Sequence, residues 1–174
     1  MNSPPGAKSR PTDLAHQRRL RPAGCPEHLV VAPLWVAYDA NLGTLLRTCD
    51  AVGACMAVPA TAHYKTALAR GDTLRRRPHI HWLKDSKLTW IANQRAGGAR
   101  IVAVELADDA VPLAALVEAR VRTILLLGHE HNGVPEEVWP LLDEVVAIPM
   151  VGAGASLNVA VAGSLVLYRL AGLS

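Results

Sequence analysis

From residue 29 onward, short apolar runs alternate with stretches of helical periodicity, the pattern of a mostly parallel sheet covered by helices. The apolar runs predict strands over residues 29–36, 55–58, 80–83, 100–106, 122–127 and 145–150. Between them, apolar residues spaced three and four apart predict helices over 42–52, 87–95, 113–119, 135–142 and 156–170. Local chemistry supports several of these boundaries. Asn41 and Ser156 are good helix N-caps, Pro135 followed by Glu136 and Glu137 makes a first turn, and Gly97-Gly98 can end a helix before the next strand. The physical expectation is therefore an α/β fold, a mostly parallel sheet with helices on both faces. Pattern alone would make it an open, doubly wound one.

A chain of 174 residues suits one domain with or without a tail. Apolar residues make up 51% and charged residues 19%, enough to build a core and too apolar for a disordered chain. Aromatics are only 4%, with no Phe, so the core must be aliphatic, as suits strands buried on both faces. The longest apolar stretch, residues 159–173, is interrupted by Ser164 and Arg169. It falls short of the roughly 20 residues a spanning helix needs, so a buried helix and no membrane association are expected. The opening residues are polar, and no secretory signal is visible. Cys25, Cys49 and Cys55 match neither a disulfide framework nor paired zinc knuckles, so a reducing cytoplasm is the expectation.

Charge is unevenly placed. Residues 1–22 carry five basic side chains, Arg18 and Arg19 among them, against one acid, while the whole chain has a net charge of only +3. Residues 1–26 thus read either as a solvated leader or as a basic, flexible arm for a polyanion, nucleic acid first, attached to a domain over 27–174. Arg70, Arg75, Arg76 and Arg77, beside His79 and His81, form a second basic cluster that raises the nucleic-acid reading.

Three predicted strand-to-helix turns combine glycines with polar side chains: residues 39–47, 128–133 and 152–158. In open α/β sheets such loops are where ligands bind. The turn Gly152-Ala153-Gly154 has the glycine spacing that opens a dinucleotide fingerprint, but that requires an acidic residue about 20 positions on, on a further strand, and the sequence runs only to Ser174. No Walker A sequence occurs either. A nicotinamide-dependent oxidoreductase is accordingly the weaker alternative.

The same turns carry a resemblance. Asn41-Leu42-Gly43-Thr44-Leu45-Leu46-Arg47-Thr48, then Leu127-Gly128-His129-Glu130-His131-Asn132-Gly133-Val134, then Ile148-Pro149-Met150 with Ser156-Leu157-Asn158 resemble the three ordered motifs of the TrmH family of SPOUT-class RNA 2′-O-ribose methyltransferases. The similarity extends over about residues 29–172. It implies features the physical pattern does not: a deep trefoil knot at the C-terminal end, against the general rule that connections do not thread loops, and a homodimer with sites near the interface.

The resemblance further implies that S-adenosylmethionine is the methyl donor, contacted by Val104 or Glu105, Leu127, Gly128, Ile148, Met150 and Leu157. Backbone groups of such turns can hold a purine edge, and the apolar side chains its face. Arg47 matches the family's catalytic arginine. A guanidinium is effectively never deprotonated, so its expected part is to grip a phosphate and stabilise a developing alkoxide. The structural alternative is a surface pair with Asp39 or Asp50. Asn41, Glu130, Ser156 and Asn158 match the remaining polar motif positions. Asn41 and Asn158 can hold an RNA phosphate or each other's loops, Ser156 the nucleotide, and Glu130 either Arg47 or loop amides.

His129-Glu130-His131 lacks the helical spacing of a metal-binding H-E-x-x-H sequence, and His79 with His81, though able to bind metal from one strand face, reads better as a half-exposed pair. No metal is expected. The resemblance implies an RNA 2′-O-ribose methyltransferase acting on tRNA or rRNA. Residues 47–53 and 106–111 look closest to the tRNA branch. The rival from another class is a non-catalytic RNA-binding protein that keeps the fold.

Overall fold

The computed structural model describes residues 28–71, 78–154 and 156–173. Seven strands form one sheet: β1 (Leu29–Ala32), β2 (Cys55–Pro59), β3 (Ile80–Leu83), β4 (Arg100–Val104), β5 (Val111–Pro112), β6 (Thr123–Leu126) and β7 (Glu144–Ala147). Their order is β3-β2-β1-β6-β4-β7-β5 and every pairing is parallel. Four α-helices accompany them among the described residues: α1 (Asp39–Val52), α2 (Ala62–Gly71), α3 (Lys87–Ala96) and α4 (Val159–Leu170). Strand β6 lies between β1 and β4, so late segments of the chain are inserted among early ones.

The aliphatic composition explains the layering. All four residues of β1 are buried, and alternate side chains enter two different cores. Leu29 and Val31 join Leu42, Leu45, Leu46, Leu68 and Leu167 beneath α1, α2 and α4, while Val30 and Ala32 join Ile91, Ile101, Ile124 and Val138 on the other face. Each fully buried aliphatic of this size contributes about 1.5–3 kcal/mol relative to exposure. Helices on both faces of a parallel sheet are thus as expected. Gly43 and Gly71 let α1 and α2 cross closely, since a Cβ on Gly71 would stand 2.6 Å from the Gly43 Cα.

Several boundaries differ from the sequence expectation. β1 ends at Ala32 and β7 at Ala147 because Pro33 and Pro149 cannot donate ladder hydrogen bonds. α2 was not expected, although Tyr64, Ala67 and Leu68 lie at helical spacing and are buried. The helix expected over 113–119 is a 3-10 turn, Leu113–Ala115, preceded by the two-residue β5. The helix expected over 135–142 is also 3-10, Glu136–Leu141, with Pro140 inside it. Neither expected side-chain cap holds: α1 begins at Asp39 after Tyr38, which makes no side-chain cap, and α4 is capped by Asn158 rather than Ser156. The Gly97-Gly98 stop is found, with Gly97 as C-cap of α3 and Gly98 at φ +86°.

Cys49 is a buried free thiol whose pKa burial pushes well up, whereas Cys55 is disulfide-bonded. That bond corrects the expectation that the cysteine spacing matches no disulfide, because spacing along a chain does not report which segments the fold brings together. No helix among the described residues is long and apolar enough to cross a membrane.

Candidate functional site

The loop after β6 is built on two glycines. Gly128 and Gly133 lie so close that a Cβ on Gly128 would stand 2.2 Å from the Gly133 carbonyl carbon. Gly133 has φ +66°, a conformation L side chains rarely adopt. The His129 N–H donates to the Gly133 carbonyl and the Gly133 N–H returns the bond, both at 2.9 Å, so His129–Gly133 closes into a small ring of backbone. Glu105, just beyond β4, accepts from Val134 N–H at 2.9 Å through Oε1. A Cβ on Gly133 would stand 1.9 Å from that oxygen. Glu105 was expected to face a ligand. Its observed partners are Val134 N–H and Leu106 N–H, which make it a support of the loop.

From this loop Glu130 reaches the start of α1. Its Oε2 accepts from Ala37 N–H at 3.0 Å, and its Oε1 from Tyr38 N–H at 3.2 Å and Asn41 Nδ2 at 2.8 Å. Negative charge at a helix N-terminus is also favoured by the helix dipole. Burial on its own would raise the Glu130 pKa, but the hydrogen bonds from Ala37, Asn41 and Tyr38 prevail and hold the carboxyl below its ordinary range. Asn41 Oδ1 in turn accepts from Asn158 Nδ2 at 3.0 Å, and Asn158 Oδ1 accepts from Ala160 N–H at 2.9 Å and Val161 N–H at 3.2 Å. One polar chain, Glu130 to Asn41 to Asn158, therefore joins all three sequence motifs. Of the alternatives open at the sequence level, Asn41 and Asn158 hold each other's loops, and Glu130 holds backbone amides.

Beside this chain is a cavity of about 220 Å³ at the carboxyl ends of β4, β6 and β7. All seven residues expected to meet a cofactor line it: Val104, Glu105, Leu127, Gly128, Ile148, Met150 and Leu157. Glu130, Ser156, His129 and His131 complete much of the rim. Sequence reasoning missed Gly133 as an essential part of this wall. The signal was there, since a tight loop with a second glycine demands such a position. His131 Nε2 lies 3.3 Å from the Tyr38 hydroxyl, which joins the rim to α1.

Arg47 does not line the cavity. It is exposed on α1 and makes no ion pair with Asp39 or Asp50. Asp39 instead meets His63 at 3.6 Å and Arg70 at 3.5 Å, so Arg70 is an exposed side chain pairing α2 with α1. Surface pairs of this kind contribute little. Arg18, Arg19, Arg75, Arg76 and Arg77 lie outside the described residues.

A parallel α/β sheet whose polar loops converge over an apolar-walled cavity at the strands' carboxyl ends is the arrangement in which proteins of this class hold compact organic ligands. Comparison with known proteins gives the family. Residues 28–168 match the SpoU rRNA Methylase family, and this chain belongs to it. It is 33% identical over 138 residues to the tRNA (guanosine(18)-2′-O)-methyltransferase of Escherichia coli K12, covering 74% of this chain and 56% of that protein. The chain thus spans little more than half the length of that curated relative. Among solved structures, the Aquifex aeolicus TrmH/SpoU tRNA modifying enzyme shares the fold, with TM-score 0.73 at 24% identity over 93% of this chain and 82% of that one. An AdoMet-bound rRNA methyltransferase from Sinorhizobium meliloti aligns with TM-score 0.69 at 27% identity, over 88% of this chain and 58% of that one.

Proposed function

We propose that this chain is a cytoplasmic, S-adenosylmethionine-dependent RNA 2′-O-ribose methyltransferase, with tRNA as the preferred substrate. The observation that carries this reading is the convergence of three distant motifs, through Glu130, Asn41 and Asn158, beside a cavity lined by every residue the family resemblance assigns to the donor. The E. coli relative acts on tRNA by its name, which favours that RNA over rRNA.

The residues present fit such a donor. Ile148, Met150 and Leu157 offer apolar walls for a purine, and Gly128 and Gly133, where a Cβ would strike the loop backbone or the Glu105 carboxylate, let the loop close tightly at the cavity wall. When bound, S-adenosylmethionine supplies an activated methyl group to an oxygen nucleophile. The chain's own tasks are to position that nucleophile and to stabilise the charge it develops. Glu105 and Glu130 hold the loop rigid, Ser156 offers a hydroxyl to the nucleotide, and Arg47 grips the adjacent phosphate and stabilises the developing alkoxide.

Because Arg47 stands outside the cavity of its own chain, the reading includes a homodimer in which one copy's Arg47 serves its partner's cavity. An apolar stripe on α4 supports it: Val161, Leu165 and Tyr168 lie at helical spacing and are 47, 43 and 40% exposed. The deep knot belongs to the same proposal, supported by the family and by β6 lying between β1 and β4. Residues 1–26 act as a basic arm, and with Arg70, Arg75, Arg76 and Arg77 they contact RNA phosphates, giving affinity rather than sequence choice.

Calorimetry tests the ligand directly. S-adenosylhomocysteine should bind at one site per chain and NAD should not. Tight NAD binding with no S-adenosylhomocysteine binding would overturn the reading in favour of an oxidoreductase.

A further inference from the structure

At the other end of the sheet, away from the cavity, is a cluster of side chains the methyl-transfer reading does not use. Cys55 opens β2, His79 immediately precedes β3, and His81 is the second residue of β3. The register sets Met56 against Ile80 and Ala57 against His81, and the Met56 N–H donates to the His79 carbonyl at 3.0 Å. His79 and His81, two apart on an extended segment, therefore share one face, with Cys55 beside them on the neighbouring strand. The Cys55 sulfur and one nitrogen from each imidazole all lie within 4.8 Å of one another. The two rings are 4.3 Å apart between centroids, inclined at 63°. The cluster grades from buried Cys55 through half-buried His81 to exposed His79, so one side is open to solvent.

Cys55 is disulfide-bonded in this structure. We propose that reduction of that disulfide turns the cluster into a zinc(II) site, with the Cys55 thiolate, His79 and His81 as protein ligands and water at the fourth position. A dithiol passes two electrons and two protons to the disulfide, giving two thiols and leaving as its own cyclic disulfide. Binding of the ion then displaces the proton from the Cys55 thiol and engages both imidazoles in their neutral form. One thiolate with two imidazoles is a donor set suited to zinc, and its tetrahedral preference needs no further protein group. Zinc–sulfur and zinc–nitrogen bonds of about 2.3 and 2.0 Å bring such donors to roughly 3.3–3.5 Å apart. Side-chain rotations of about an ångström close the present spacing to that value.

Along the sequence His79 and His81 read as a half-exposed pair, because only the two imidazoles are neighbours there. The third donor arrives from a strand 24 residues earlier, through the β2–β3 register. The ion would also act at an edge of the sheet, since among the described residues β3 is bonded only to β2. Re-forming the disulfide would take up the thiolate and release the metal, so occupancy of the site depends on redox state.

The test uses the full chain, reduced with a phosphine that takes one oxygen atom from water as it opens the disulfide, then exchanged into metal-free buffer. Titration with cobalt(II) should give one equivalent bound, with tetrahedral d–d bands and a thiolate-to-cobalt charge-transfer band, both abolished by added zinc(II). Cys55→Ser should remove the charge-transfer band. His79→Ala and His81→Ala should each weaken binding at least about tenfold, the scale seen when even an outer partner of a metal site is lost. Cys49→Ser should leave the cobalt spectrum unchanged. His79 is exposed, so its variant keeps the fold, which circular dichroism verifies. Absence of the charge-transfer band in the reduced wild type, a His79→Ala variant that binds cobalt like wild type, or equal binding by oxidised and reduced protein would each overturn the proposal.

Discussion

Glu130 makes three hydrogen bonds to the start of α1 from a loop some 90 residues away, and two of them go to backbone N–H groups that no other side chain among the described residues serves. Glu130→Gln retains the shape but loses the charge and one acceptor oxygen. Thermal melting should report a loss of about 1–3 kcal/mol, the scale of a charge-assisted hydrogen bond left unmade. The pH dependence has a definite sign. The folded-state pKa lies below the unfolded one, so this contribution is complete above about pH 4.3, the ordinary glutamate value, and fades as pH falls through the lower folded value. The Gln variant should lack that acid-side decline, and a wild-type and variant pair with parallel pH–stability curves would contradict the assignment. Gly133→Ala forces a methyl onto the Glu105 carboxylate and asks a side chain to adopt φ +66°. It should weaken S-adenosylhomocysteine binding in calorimetry. Gly152→Ala, whose Cβ would meet nothing within 4 Å, should leave it near wild type.

At the level of elements, α4 shows how capping and site assembly coincide. Asn158 caps the helix by accepting from Ala160 and Val161, and the same side chain donates to Asn41. Asn158→Ala should lower stability by about 0.5–2 kcal/mol from the cap alone. It should also raise hydrogen exchange at the α1 N-terminus, which a purely local cap would leave untouched. The sheet strands were legible in the sequence because aliphatic runs such as Leu29–Ala32 are buried on both faces. The cavity walls were legible only through the motif resemblance, since Ile148 or Leu157 alone is indistinguishable from core. What pattern did not give were features decided by tertiary contact. Glu105 grips the loop, Asn41 is a link within the first turn of α1 rather than its cap, and 3-10 geometry replaces the helix around Pro140. The missed α2 was legible, for its buried Tyr64, Ala67 and Leu68 have the helical period.

For the molecule as a whole, the proposed homodimer rests on the exposed apolar stripe of α4 and on the position of Arg47 outside the cavity of its own chain. Leu165→Asp puts a charge into the proposed interface while altering an exposed side chain. Sedimentation should show a dimer for wild type and a monomer for the variant, with methyl transfer lost together with association. A variant that stays dimeric and active would place the contact elsewhere. The measurement that bears most directly on the central claim is transfer of a labelled methyl group from S-adenosylmethionine to bulk tRNA, followed by location of the label within the nucleotide. Wild type should label a ribose 2′-oxygen, and Arg47→Ala should lose that labelling while retaining S-adenosylhomocysteine binding. Equal labelling by both proteins, or a wild type that binds RNA and transfers no methyl group, would contradict the account.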